Sequence, residues 1–130
     1  MALLSPALVL LVVAPFVAEV LSTSTSLLAY VPYLPFEAAL YGGGALLIRE
    51  AVRRRGLGAP GMLVLGAAFG VLNEALCVRS WFAPGFLDDP GASAYSRVWG
   101  TNLLEAVHLT AFHAVVSVWA PIAIVELLFP

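Results

Sequence analysis

Apolar residues run along this chain in four long blocks, separated by short stretches rich in Pro, Gly, Ser and Thr. The blocks cover about residues 2–21, 36–54, 61–83 and 101–127. A helix needs about 20 mainly apolar residues to cross about 30 Å of hydrocarbon, and each block is close to that length. The breaks fall at Pro32 and Pro35, at Gly56, Gly58, Pro60 and Gly61, and from Pro84 to Gly91, the residue types that punctuate helices. The Ser-Thr alternation from Ser22 to Ser26 predicts a short loop. The pattern predicts an all-α, polytopic transmembrane bundle of four helices running up and down, because in lipid only helices and closed barrels satisfy their own backbone groups. The connections are too short to hold another domain, so residues 1–130 read as a single transmembrane domain. The ending Glu126-Leu127-Leu128-Phe129-Pro130 carries no basic stop, and the expectation is the N-terminal part of a longer protein.

Composition narrows the class further. Hydrophobic residues make up 62% of the chain and charged ones 11%, with a mean hydropathy of +0.98. Soluble domains carry about 25% charged residues, so a water-soluble globule is excluded, and disorder with it. Six Arg against eight Asp and Glu leave a net charge of −2, with no basic face for nucleic acid. Met1-Ala2-Leu3-Leu4 lacks a basic n-region, and the apolar run behind it continues to Leu21, so the first block reads as a retained span rather than a signal peptide. Cys77 is the lone cysteine and reads as a small buried residue. The lipid bilayer is the one partner the composition names. A homo-oligomer or a larger membrane complex stays open, and the expected location is the cell membrane, as a multi-pass protein.

Charge placement orients the spans. Arg49, Arg53, Arg54 and Arg55 close the second block, and the positive-inside rule puts that end in the cytoplasm. Both termini then lie inside. Tyr30, Tyr33, Phe36, Trp81, Phe82, Phe86, Tyr95 and Trp99 collect at the opposite boundary, where part-polar rings favour the interface. Asp88 and Asp89 read as solvated charges in the outer loop.

Within the blocks stand Glu19, Glu37, Glu74, Glu105, His108 and His113. An ionic residue near a helix centre costs about 2.5–3.5 kcal/mol, while each Leu, Val or Phe returns only about 0.3–0.6. The Leu, Val and Phe residues from Leu63 to Val78 are nearly cancelled by Glu74 alone, with Asn73 adding to the cost, so this helix must be sheltered by others. At 1.5 Å per residue, Glu74 and His108 both lie about 10 Å below the outer surface, Glu19 and Glu105 about 6 Å below it, and His113 near the midplane. The polar groups therefore gather in the outer half. Depth favours His108 as the partner of Glu74. Gly66, Gly70, Asn73 and Cys77 form a small-residue face that admits a close helix. Glu105 and His108 share a face, and His113 is turned about 140° from His108.

The chemistry of this cluster reads two ways. Intramembrane carboxylates are functional sites by default, with Glu74 as a base or ion site; a protonated, hydrogen-bonded packing acid is the alternative. Glu105-x-x-His108 matches the pairing of di-metal carboxylate bundles, but one copy would need a homodimer to complete a site. The sequence leaves metal and cofactor unknown. Glu37, Glu19 and Arg79 read as interfacial pairing residues.

Asn73-Glu74-Ala75-Leu76-Cys77-Val78-Arg79, followed one helix later by Leu109-Thr110-Ala111-Phe112-His113, resembles the CPBP family of intramembrane proteases, which includes the CAAX prenyl proteases. That family carries Glu-Glu-x3-Arg, then Phe-x3-His, then His-x3-Asn/Asp. Asn73 stands at the first glutamate, Leu109 at the Phe, and Arg79 one residue beyond the family's arginine. The resemblance covers about residues 73–113 and has no third motif. It implies a membrane peptidase in which Glu74 is the base and His113 the histidine of the second motif, activating water against a membrane-associated peptide. The expected function is thus a small membrane protein with a Glu/His site supported by Asn73, Arg79, Glu105 and Glu19. A non-catalytic membrane-complex subunit or a proton- or cation-coupled transport component is the alternative.

Overall fold

The computed structural model describes residues 5–22, 24–83 and 95–130. Four helices organise them: α1 (Pro6–Leu21), α2 (Leu27–Arg55), α3 (Gly58–Cys77) and α4 (Leu103–Leu128). A 3-10 turn, Ser80–Phe82, follows α3. A two-stranded antiparallel ladder, β1 (Arg97–Val98) with β2 (Thr101–Asn102), precedes α4 and pairs Arg97 with Asn102. Phe86, Asp88 and Asp89, expected in an outer loop, and Met1 to Leu4 lie outside the described residues.

Local chemistry explains the helix ends. Ser5 caps α1 by accepting from the Leu8 N–H, with Pro6 preset at the first helical position. Ser26 caps α2 and Asn102 caps α4 in the same way, through the N–H groups of Ala29 and Glu105. Gly56, at φ 62°, ends α2 in the left-handed conformation that costs glycine nothing. Arg53, Arg54 and Arg55 occupy the last turn of α2, where cations complement the helix dipole.

Two predicted boundaries shift. α2 begins at Leu27, not near 36, and carries Pro32 and Pro35 inside it. Each proline removes one helical donor, but membrane helices tolerate them where other groups satisfy the freed carbonyls, and the Ser26 cap sets the start instead. α3 stops at Cys77 rather than 83, because Arg79 adopts φ 62° and turns the chain.

α2, α3 and α4 are long and apolar enough to cross a membrane; α1 is shorter, at 10 α-helical plus 6 π-helical residues. Each helix contains one wide π turn: Phe16–Leu21, Ala38–Gly42, Leu72–Cys77 and His113–Trp119. Such turns are uncommon and cluster at functional sites.

The core sits where α1, α2 and α4 converge on α3, with Leu10, Ala14, Ala45, Ile48, Met62, Val118, Ile122 and Val125 buried together. Glycine permits the closest crossings. A Cβ at Gly42 would lie 2.6 Å from the Leu11 carbonyl oxygen, and one at Gly66 would lie 2.9 Å from Ala114 Cα. Arg49 Nε meets Glu126 Oε1 at 3.2 Å, tying α2 to α4. Large apolar side chains such as Leu28, Leu47, Leu76, Val107 and Leu127 point outward, as a lipid-facing surface requires.

Candidate functional site

The π turn of α3 brings Asn73 and Glu74 inward together, and the π turn of α4 does the same for His113 and Ser117. All four are buried. His113 Nε2 lies 2.8 Å from Glu74 Oε1, which also accepts from Asn73 Nδ2 at 3.2 Å. Ser80 Oγ donates to Glu74 Oε2, a contact made possible by the reversal at Arg79. Asn73 Nδ2 reaches Tyr41 Oη at 3.4 Å. The far side of the imidazole, Nδ1, is 2.9 Å from Ser117 Oγ.

Aromatic rings fix the plane of His113. Tyr41 stacks on it with centroids 5.8 Å apart and planes 23° apart, while Phe69 and Phe112 meet it edge-on. On the side next to α3, Gly70 leaves room for the ring; a Cβ there would sit 2.9 Å from His113 Cβ.

This bonding suits a proton that can rest in more than one place. With Nε2–H donating to the carboxylate, neutral His113 accepts from the Ser117 hydroxyl at Nδ1; as imidazolium it donates to the same hydroxyl, because a hydroxyl does both. The carboxylate is ringed by up to three donors, the arrangement a buried charge requires. Asn73 Oδ1 is buried and without a hydrogen-bond partner among the described residues.

Glu74, His113 and Tyr41 line a cavity of about 400 Å³, together with Glu19, Ser24, Val78, Leu109 and Phe112. Glu19 stands at the π turn of α1, and its Oε2 accepts from Thr25 Oγ1 at 2.6 Å. Ser117 is absent from the lining and fully buried, so it can position the imidazole but not meet a ligand.

The other expected residues lie elsewhere. His108, which depth arithmetic favours as the partner of Glu74, is exposed. That arithmetic compares heights alone; His108 stands on the regular stretch Leu103–Phe112, about 140° round from His113, so the turn that brings His113 against α3 leaves His108 facing outward. Glu105 and His108 do not share a buried face: Glu105 is 2% exposed and His108 points out, since residues three apart on a helix are offset by about 60° and here straddle the edge of the contact. Glu105 Oε2 has no partner among the described residues, and Glu105 is not among the side chains lining the cavity. Arg79 is exposed and acts through its backbone. Cys77, expected to be buried, is exposed at the end of α3, rotated off the glycine face by the π turn. Among the described residues, no three His, Cys, Asp or Glu side chains are gathered to hold a metal ion.

Tyr41, Ser80, Ser117 and Phe69 belong to the site without having been singled out in the sequence. Ser117 alone had a local signal, four residues beyond His113 and hence one turn along.

A family described as an uncharacterized membrane protein family matches residues 8–130 of the chain; it is not the CPBP family. No curated protein matches the chain, and no solved structure does.

Proposed function

The chain belongs to this membrane protein family, and from that premise we propose that it is a four-span membrane protein with a one-sided acid–base site built on Glu74 and His113. Its Arg-rich end faces the cytoplasm under the positive-inside rule, and the site opens toward the outer half of the bilayer. The reaction that suits the site is hydrolysis of a membrane-associated peptide, the chemistry of the CPBP proteases that residues 73–113 resemble.

One observation carries the choice. The polar chain from Tyr41 through Asn73, Glu74 and His113 ends at Ser117, with Glu19 lining the same cavity, and Val118, Ile122, Val125, Leu10 and Ala14 close the bundle beyond it. A proton or cation channel needs polar access from both sides at once, and a carrier needs a second state in which this apolar end opens. A site acting on a substrate held in place needs access from one.

In the proposed reaction, water in the cavity attacks the peptide carbonyl carbon as its proton passes to the Glu74–His113 pair. The C–N bond breaks, and the pair returns the proton to the departing amine. Ser80 and Asn73 hold the carboxylate, and Ser117 and Tyr41 hold the imidazole.

The test uses purified full-length protein in lipid nanodiscs with membrane-tethered peptides, read by mass spectrometry. Glu74→Gln keeps the shape of the side chain and removes its basicity. The proposal expects cleavage by the folded parent and loss of about 10²-fold or more in Glu74→Gln, with melting behaviour retained. Cleavage indifferent to Glu74→Gln overturns it, as does a folded parent that cleaves nothing.

A further inference from the structure

A second cavity, of about 360 Å³, lies where the start of α2 folds back toward the end of α1. Glu19 is the wall it shares with the acid–base pocket; Tyr30, Tyr33, Phe36 and Glu37 supply most of the remainder. Three aromatic rings and two carboxylates thus surround one space. None of its lining residues is basic, and among the described residues no ion pair reaches either carboxylate. Two polar groups here are also left over. Tyr30 is 4% exposed and, among the described residues, its hydroxyl has no partner, and Glu37 Oε2 is buried without one.

Glu19 and Glu37 are half-buried, a carboxylate oxygen shielded from water without a counter-charge is costly, and aromatic faces attract cations through their quadrupole. Tyrosines at the membrane boundary also sit at headgroup level. The cavity is within the size range of small-ligand sites, about 300–1,000 Å³. From this combination we propose that the cavity binds an alkylammonium group, with Glu19 and Glu37 as counter-charges, Tyr33 and Phe36 as aromatic walls, and Tyr30 as a hydrogen-bond acceptor. Such a group is carried by amino headgroups of lipids and by free alkylamines. The inference does not rest on the hydrolytic reading, because binding here needs no chemistry at Glu74 or His113.

Native mass spectrometry of the full-length protein, with equal amounts of phosphatidylethanolamine, phosphatidylcholine and phosphatidylglycerol, tests it. Phosphatidylethanolamine, whose ammonium can donate to Tyr30, is expected to be retained most, phosphatidylcholine, which has charge but no N–H, less, and phosphatidylglycerol least. Glu37→Gln and, separately, Tyr33→Leu should each cut that retention about threefold to tenfold. Tyr33 is 63% exposed, so Tyr33→Leu carries the test should Glu37→Gln fold poorly. In a parallel arm, butylammonium chloride is titrated against neutral butanol in a thermal-shift assay. Saturable stabilisation by butylammonium alone assigns the site to free amines as well as headgroups; ammonium-lipid retention without it assigns the site to headgroups. Equal retention of phosphatidylglycerol, or retention unchanged in both variants, overturns the inference, whatever the outcome of the cleavage assay.

Discussion

A single methyl group added at Gly70 should loosen the site without touching a polar atom. The Cβ of Gly70→Ala would stand 2.9 Å from His113 Cβ and 3.3 Å from Thr110 Cα. Carbon atoms settle at about 3.5–4.0 Å, so α3 and α4 must part by about 0.6 Å. If His113 moves with its helix, its 2.8 Å contact to Glu74 stretches to about 3.4 Å, beyond the usual range for N–H···O bonds. Overpacking of this kind costs about 1–3 kcal/mol, and loss of a bond to a charged group adds about 1.5–3 kcal/mol. Gly43→Ala provides the control. Nothing lies within 4 Å of a Cβ there, and replacing a helical glycine by alanine favours the helix by up to about 1 kcal/mol. Denaturant or thermal unfolding in one detergent should therefore rank Gly43→Ala at or above the parent and Gly70→Ala well below it. Equal stability of the two variants would refute the close crossing, and with it the packing that presses His113 toward Glu74.

Two further outcomes follow from the same geometry. Ser117→Ala strips the partner from His113 Nδ1, which is 2.9 Å from the hydroxyl. It should cost about 1–3 kcal/mol and alter the imidazole ¹⁵N tautomer signature; an unchanged spectrum would count against a positioning role. For topology, Arg55→Cys in a Cys77→Ala background should react with a membrane-impermeant maleimide in inverted vesicles and not in intact cells; the reverse pattern would turn the bundle over.

Much of the helical frame is legible from apolar block lengths, because the bilayer sets a length and backbone bonding sets the element. The start of α2 was not, since Pro32 and Pro35 look the same in sequence whether they end a helix or lie inside one capped by Ser26. At the site, the resemblance and the depth argument pointed to different histidines, and the structure brings His113 to Glu74. The depth argument compared heights and took no account of which histidine turns toward α3. Four π turns stand one on each helix, and three of them hold Tyr41, Asn73 with Glu74, and His113 with Ser117. No local composition marks such a turn. Ser80 was hidden for a related reason: it reaches Glu74 only because Arg79 takes a positive φ, a conformation its residue type does not announce. Cys77 illustrates the converse, a residue whose spacing placed it on the packed face and whose wide turn carried it off.

The direct contact between Glu74 and His113 is the feature on which the rest stands, and solid-state NMR of the protein in lipid bilayers measures it. With ¹⁵N in the histidine rings and ¹³C in the glutamate carboxyl groups, one imidazole, assigned by its loss in His113→Gln, should show rapid dipolar dephasing from a carboxyl carbon that disappears in Glu74→Ala. A His113 ring nitrogen with no carboxyl carbon in range, or dephasing assigned to His108 instead, would contradict the account.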